Sequence, residues 1–204
     1  DADVRVAAVA GGVVAAGVSY AGVTATGDVL AQLGTNASIG SNTGRVGDVL
    51  VRARNQSTQE ALGISAGAAF GGAVVGAVVE MSDTGASLVN LSNGAGIYST
   101  GAIQLLADDK AQNSSEARGV AVAGGMGLSI ISSDVDVDRD ARVSIGDGAQ
   151  LTGASLNLTA NIGEAGQNMA TSDVTGASGG ILVGVSGSES FVDVDANAQV
   201  LVGN

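Results

Sequence analysis

Short stretches of this chain alternate apolar and polar residues with a period of two. The clearest stretch runs from Val135 to Ile145, and a second runs from Leu156 to Thr159. Because neighbouring side chains of a β-strand point to opposite faces, this alternation predicts strands with one buried and one exposed face. Gly, Asn, Asp and Ser separate the stretches, and the 33 scattered glycines disfavour helix.

The strand at Val135–Ile145 carries a specific prediction about register. Val135 and Val137 share one face, and Asp136 and Asp138 share the other. Buried, unpaired carboxylates are very unfavourable, so we expect the valines inside and the aspartates outside. We also expect no basic residue near Val137 on its own face.

A longer repeat organises these strands. Copies of one apolar module end at Ala53, Ala107 and Ala160, which lie 54 and 53 residues apart. Residues 135–146 match residues 192–203 in the same way. Gly-Gly pairs recur at 11–12, 71–72, 124–125 and 179–180. These spacings define a repeat of roughly 54 residues that is present nearly four times.

Many short strands, a long repeat and a core of small aliphatic residues predict an all-β parallel β-helix, also called a β-solenoid. One coil can be drawn from Ala141 to Ala160, which gives about 18–20 residues per coil. Each repeat would then hold three coils. Residues 1–204 would form a single β-solenoid segment of a longer repetitive protein, a rod of roughly 50 Å if strands stack about 4.8 Å apart.

Composition excludes several classes of function. The chain has no Cys and no His, so disulfides, thiolate metal sites and the usual general base are absent. Its formal net charge is −12 and Lys110 is its only lysine, which argues against nucleic-acid binding and against anionic membranes. Aromatic residues make up only 2%, too few for the sugar-stacking surface of a polysaccharide lyase. We therefore expect no enzymatic activity and no cofactor.

The stretch Val143–Ala160 resembles the repeats of filamentous haemagglutinin-like and leukotoxin-family filamentous adhesins, which are large bacterial surface β-helix proteins. It carries hydrophobe-Gly-Asp-Gly-Ala at Ile145–Ala149, then Thr152-Gly153, then an alternating strand that ends in Ala. The resemblance implies a right-handed β-helix, export across the bacterial outer membrane, and a surface role in attachment or aggregation. It implies no catalytic residues.

The acidic ladder Asp134, Asp136, Asp138 and Asp140 is the one candidate metal site. Carboxylate oxygens are the ligands that Ca²⁺ prefers. The sequence lacks the Gly-Gly-x-Gly-x-Asp array that stacks calcium between coils, and Arg139 and Arg142 lie close enough in sequence to neutralise the charge. We favour a solvated outer face over a calcium site.

Three other motifs have structural interpretations that we favour. Gly176–Gly180 fits the Gly-x-Ser-x-Gly pattern of a nucleophile elbow, which requires a His partner that this chain lacks. Ala61–Val79 is uncharged and long enough for a membrane span, but Ala and Gly dominate it, so we expect close-packed strands and no membrane span. Asn-x-Ser/Thr triplets, typical glycosylation acceptors, are explained by a chain rich in these residues. They begin at Asn36, Asn55, Asn90, Asn113 and Asn157.

The sequence therefore predicts a structural protein, the shaft of an extracellular bacterial adhesin or cell-surface filament that mediates attachment, aggregation or fibre assembly. Flat surfaces of small residues predict self-association with other copies in a fibre or bundle. The alternative is a β-helix module that binds a carbohydrate or another surface, with a host or microbial cell-surface glycan or protein as its partner.

Overall fold

A computed structural model describes residues 1–163, residue 167 and residues 169–204. Strands make up 83% of it, and the described residues contain no helix. The prediction of an all-β fold is confirmed. The strands are β1 Ala2–Leu33, β2 Ser38–Ile39, β3 Val49–Leu91, β4 Gly96–Tyr98, β5 Ala102–Ala123, β6 Met126–Ile145, β7 Gln150–Thr152, β8 Ser155–Ile162, β9 Ala170–Gly180 and β10 Val183–Val202.

The strands form two sheets in which every pairing is parallel. In the large sheet β3 pairs with β1, β5 and β6, β5 also pairs with β8 and β9, and β6 also pairs with β10. The small sheet has the order β2-β4-β7. The predicted parallel pairing is confirmed.

Equivalent residues of successive repeats are partners in this ladder. Ala53 pairs with Ala107, and Ala107 pairs with Ala160, so the 54-residue sequence repeat is also the spacing of the hydrogen-bonded strands. β6 and β10 pair residue by residue from Val135 opposite Val192 to Ile145 opposite Val202. The alignment found in the sequence is therefore the register of the sheet.

The prediction of a coil every 18–20 residues is wrong. The three strands assigned to one coil between Ala141 and Ala160 each pair with the preceding repeat. Val143 pairs with Val89, Leu151 with Ile97 and Leu156 with Ile103. Each strand pairs with the equivalent strand one whole repeat away, because the Gly-rich stretches between the predicted strands are themselves strands. Three spacings of about 4.8 Å separate the four levels, so the stack spans roughly 15 Å, less than the 50 Å expected.

Each repeat bends sharply at its Gly-Gly pair, so that two long arms face one another. We call residues 2–10, 49–69, 102–123, 155–162 and 170–180 the first arm, and residues 14–33, 72–91, 126–145 and 183–202 the second arm. Across the gap, Ser115 Oγ lies 2.6 Å from Ser133 Oγ. At the third Gly-Gly pair the bend needs glycine in both positions, because a Cβ on Gly124 or Gly125 would clash with a backbone carbonyl oxygen of the preceding repeat.

The inner faces of the two arms pack into a thin core of small aliphatic residues. Val135 and Val137 are completely buried, whereas Asp134, Asp136 and Asp138 are exposed, which confirms the predicted register of β6. Burial of one such valine contributes about 1.5–3 kcal/mol. One apolar cluster surrounds Val135 and Val137. A second cluster begins at Ala141 and includes Ile97 of the small sheet.

Candidate functional site: a buried ionic cluster between the arms

Three charged side chains lie inside the core, between the apolar cluster at Val137 and the one that begins at Ala141. Arg139 projects from β6, Asp83 from β3 and Asp109 from β5. Arg139 is 2% exposed and both aspartates are fully buried. Each lies at an inward position of its strand's alternation, so the same pattern that buries the valines also buries these charges.

The guanidinium of Arg139 bridges the two carboxylates. Its Nη1 donates to Asp109 Oδ1 at 3.2 Å, and its Nη2 donates to Asp83 Oδ1. Asp109 belongs to the first arm and the other two residues to the second. The ion pairs therefore connect the two arms across the core.

Neighbouring polar side chains complete the cluster. Asn113 Nδ2 donates to the second oxygen of Asp83 at 2.9 Å, and the single hydroxyl proton of Ser87 is shared between the second oxygen of Asp109 at 3.2 Å and the carbonyl oxygen of Asp108 at 3.0 Å. Gly85, the strand partner of Arg139, leaves the guanidinium its space, because a Cβ there would lie 2.7 Å from Arg139 Nη1. Each carboxylate oxygen of the cluster thus has a donor within 3.2 Å, whereas the buried Nε of Arg139 has no hydrogen-bond partner among the described residues.

The cluster is not electrically balanced. One guanidinium faces two carboxylates, so its formal charge is −1 when both are ionised. Burial raises the pKa of Asp109, and the nearby charge of Asp83 raises it further. The positive charge of Arg139 and hydrogen bonds from Ser87 and Asn55 oppose that rise. We therefore expect Asp109 to take up a proton at a higher pH than an ordinary aspartate does.

The chemistry available to this cluster is structural. It lies in the interior of the stacked arms, and it contains no Cys, His or Lys that could act as a nucleophile. A buried charge pair that spans two elements favours the one alignment in which both charges are satisfied, so the cluster can fix the register of the arms and of adjacent repeats.

The cluster also corrects two expectations from the sequence. Arg139 does not neutralise the acidic ladder, because it points to the opposite side of β6 from Asp138 and Asp140. The inner face near Val137 does contain a basic residue, again Arg139. Arg139 is an even number of residues from Val135 and Val137 and therefore lies on the same, inward face of the strand. This spacing was the sequence signal that could have revealed the buried arginine.

The acidic ladder itself follows the outer surface of β6. Asp134, Asp136 and Asp138 are exposed and Asp140 is half-buried. They lie two residues apart along one strand, which separates successive carboxylates by about 6.6 Å at the backbone. Among the described residues, no group of three or more His, Cys, Asp or Glu side chains could hold a metal ion.

The remaining sequence motifs fall within strands. Ser178 lies inside β9. Ala61–Val79 is the part of β3 that bends at Gly71, and in the part of the chain that the structure describes no helix is long and apolar enough to cross a membrane. Asn113 is buried and donates to Asp83, so it is not accessible as a glycosylation acceptor.

A shallow groove crosses the outer face of the second arm. Tyr20 lies over Gly22, where an added Cβ would come within 3.2 Å of the ring. Its hydroxyl donates to Glu80 Oε2 at 2.6 Å, and this hydrogen bond raises the pKa of Tyr20. Ser82 and the carboxylates of Asp134 and Asp136 complete the groove, whose volume is about 260 Å³.

No family model, no curated protein and no solved structure matches this chain.

Proposed function

We propose that this chain is a structural shaft segment of an extracellular bacterial adhesin or surface filament, in which each 54-residue repeat forms one turn of a right-handed β-solenoid. The handedness follows the strong preference of parallel crossover connections. In this role the stacked turns hold a more distant binding region away from the cell.

The observation that carries the proposal is the in-register pairing of successive repeats along nearly their whole length. Even the turns take part, since the backbone N–H of Gly94 donates to the carbonyl of Asp147 at 2.9 Å, one repeat further on. Each repeat therefore presents the next one with a complementary edge, and stacked repeats stabilise their neighbours. A net charge of −12 supports the proposal, because it opposes unspecific aggregation of such edges.

A tandem variant tests the shaft. Residues 47–100 form one repeat, and eight further copies inserted after Thr100 should lengthen the particle by about 38 Å along the stacking direction. Negative-stain electron microscopy measures that length. An increase in particle length without a change in width is expected, whereas a string of separate particles would contradict the shaft.

Display of the chain on a non-adherent bacterial strain should then increase aggregation or attachment.

The second candidate function is binding of a carbohydrate at the Tyr20 groove. An exposed aromatic ring beside several carboxylates offers a stacking surface and hydrogen-bond acceptors for sugar hydroxyls. A glycan array probed with the native chain and with Tyr20→Ala tests this function. Binding that is lost in the variant would support it, and an array without signal would reject it.

A further inference from the structure

The outer face of the second arm has an apolar half next to the bend. Three successive rows of partners cross four strands there, and they contain only aliphatic residues, Met and Gly. The rows are Val14, Gly72, Met126 and Val183; Ala16, Val74, Leu128 and Val185; and Val18, Gly76, Ile130 and Gly187. We call these twelve residues the apolar patch. Val18 is 70% exposed and Ile130 is 58% exposed.

The patch continues around the bend. Phe70 is 88% exposed and Ile181 is 82% exposed, and Val13 and Leu182 protrude beside them. Val13, Phe70 and Ile181 line a groove of about 790 Å³ on the first-arm side. The bend and the patch thus form one continuous apolar surface.

The same face becomes acidic further from the bend. Beyond a boundary row made of Tyr20, Val78, Ser132 and Glu189, three rows hold most of the acidic residues of the second arm. These residues are Glu80 and Asp134; Asp136 and Asp193; and Asp138 and Asp195. One flat face of the sheet is therefore divided into an apolar half and an anionic half.

The apolar surface has the size of a protein interface. Four strands about 4.8 Å apart and three rows about 6.6 Å apart give the patch a flat footprint of roughly 400 Å². With the protruding side chains of the bend, each copy exposes on the order of 800 Å², which is what each partner contributes to a typical specific interface. Isolated monomers seldom expose an apolar surface of this extent.

We propose that the apolar patch is an interface with a second copy of this chain, in which the two second arms lie face to face with their strands antiparallel. This inference deepens the proposed function and rests on it, since it names the surface through which neighbouring shafts associate laterally.

The charge distribution selects this arrangement. From Val74, the bend at Gly71 is three residues away, about 10 Å, and Glu80 is six residues away, about 20 Å. Two antiparallel copies centred on Val74 therefore overlap through their apolar halves, the boundary row with Glu189 lies at the partner's bend, and the three acidic rows extend beyond it. In a parallel arrangement Glu80 and Asp134 of the two copies would face each other. The acidic rows also disfavour an anionic lipid surface as the occupant.

Sedimentation equilibrium of the native chain tests the interface. We expect a monomer–dimer equilibrium that Val74→Asp weakens at least about 100-fold, because the dimer would bury unpaired carboxylates. Thr84→Asp is the matched control. It adds the same charge to the same face of β3, outside the overlap, and should leave the dissociation constant within about threefold. Ile130→Ser provides an uncharged disruption and should also weaken the dimer.

A chain that stays monomeric up to about 100 µM would overturn the interface, and so would equal effects of Val74→Asp and Thr84→Asp. Flotation of the chain with neutral phosphatidylcholine vesicles would overturn it in favour of a lipid occupant. Circular dichroism of each variant verifies that the sheet is retained. The length of the tandem variants reports stacking separately, so normal growth of a monomeric particle rejects the interface alone, whereas failed growth rejects the shaft.

Discussion

Asp108 and Asp109 are neighbours in the sequence, yet they lie in two different regions of the molecule. Asp108 is on the outer face of the first arm, where its Oδ2 lies 3.1 Å from Arg52 Nη2 and 3.5 Å from Arg54 Nε. Asp109 is in the inner layer, fully buried, with Arg139 and Ser87. The alternation of β5 places Asp109 in the inner layer and Asp108 on the outer face, where its arginine partners leave it only 8% exposed.

The comparison shows why residue type is a poor guide to energetic role in this chain. Outside, two arginines whose side chains are 38% and 46% exposed surround one carboxylate, so solvent screens the cations and each pair contributes less than a fully buried one. Inside, two carboxylates share one guanidinium, and loss of a single partner leaves a buried charge unpaired. Substitutions in the inner layer should therefore have large effects, and equivalent substitutions outside should have small ones.

Removal of Arg139 should have the largest effect. Arg139→Met leaves Asp83 and Asp109 buried without a cation, which should lower the free energy of unfolding by about 3–5 kcal/mol. Urea denaturation measures the loss. Adding Asp83→Asn and Asp109→Asn to the same chain should recover most of it. Arg142→Met, on the outer side of β6, is the control, and an equal cost there would mean that the cluster contributes no special stability.

A carboxylate at position 137 should have the next largest effect. Val137 is the strand partner of Asp83, so Val137→Asp adds a third carboxylate beside a guanidinium that already has two. We expect a loss of more than about 3 kcal/mol. Asp136→Ala on the outer face should stay within roughly 0.5 kcal/mol. Similar losses in the two denaturant melts would show that β6 is not half-buried.

Neutralisation of Asp109 should act through pH. Because its folded-state pKa is raised, Asp109 contributes a stabilisation that is complete below its ordinary value of 3.8 and is lost as the pH rises through the raised value. Relative to Asp109→Asn, the native chain should therefore become more stable as the pH falls from 7 toward 4. Subtraction of the two unfolding profiles cancels the other acids. A difference that does not vary with pH would contradict the raised pKa.

Loss of Asp108 should have the smallest effect of the variants that break an ion pair. Asp108→Ala removes two pairs and leaves two partly exposed arginines that water can solvate, so we expect a loss of about 1 kcal/mol. The loss should shrink further in 1 M salt, where exposed charges are screened. A salt-independent loss as large as that of Arg139→Met would place Asp108 in the same class as the inner cluster.

The sequence predicted the features that depend on local alternation and on self-similarity. The inward valines of β6 and the partnership of Ala53, Ala107 and Ala160 both follow from patterns that are visible in one chain. The number of residues per turn did not follow, since a corner such as Asp147-Gly148 looks the same whether the next strand returns beside the last one or continues around the repeat.

The ionic cluster was missed for a related reason. Arg139 lies two residues from Val137 and so shares its inward face. Its charge and the aspartates next to it in sequence nevertheless suggested the outer surface. The space that admits it comes from Gly85, 54 residues earlier, and its partner Asp109 comes from the other arm. Those two contributions become visible only when the strand register and the bend at the Gly-Gly pairs are known.

Cysteine cross-linking tests the central claim, that strands stack one 54-residue repeat apart, most directly. The native chain has no Cys, so engineered pairs report without background. Ser82 and Asp136 are strand partners on the outer face, at a backbone spacing that a disulfide can span. Glu116 lies 20 residues before Asp136, but on the outer face of the other arm. Under mild oxidation, Ser82→Cys with Asp136→Cys should form an intramolecular disulfide in high yield, and Glu116→Cys with Asp136→Cys should form none. The reverse result would contradict the account and restore the 18–20-residue coil.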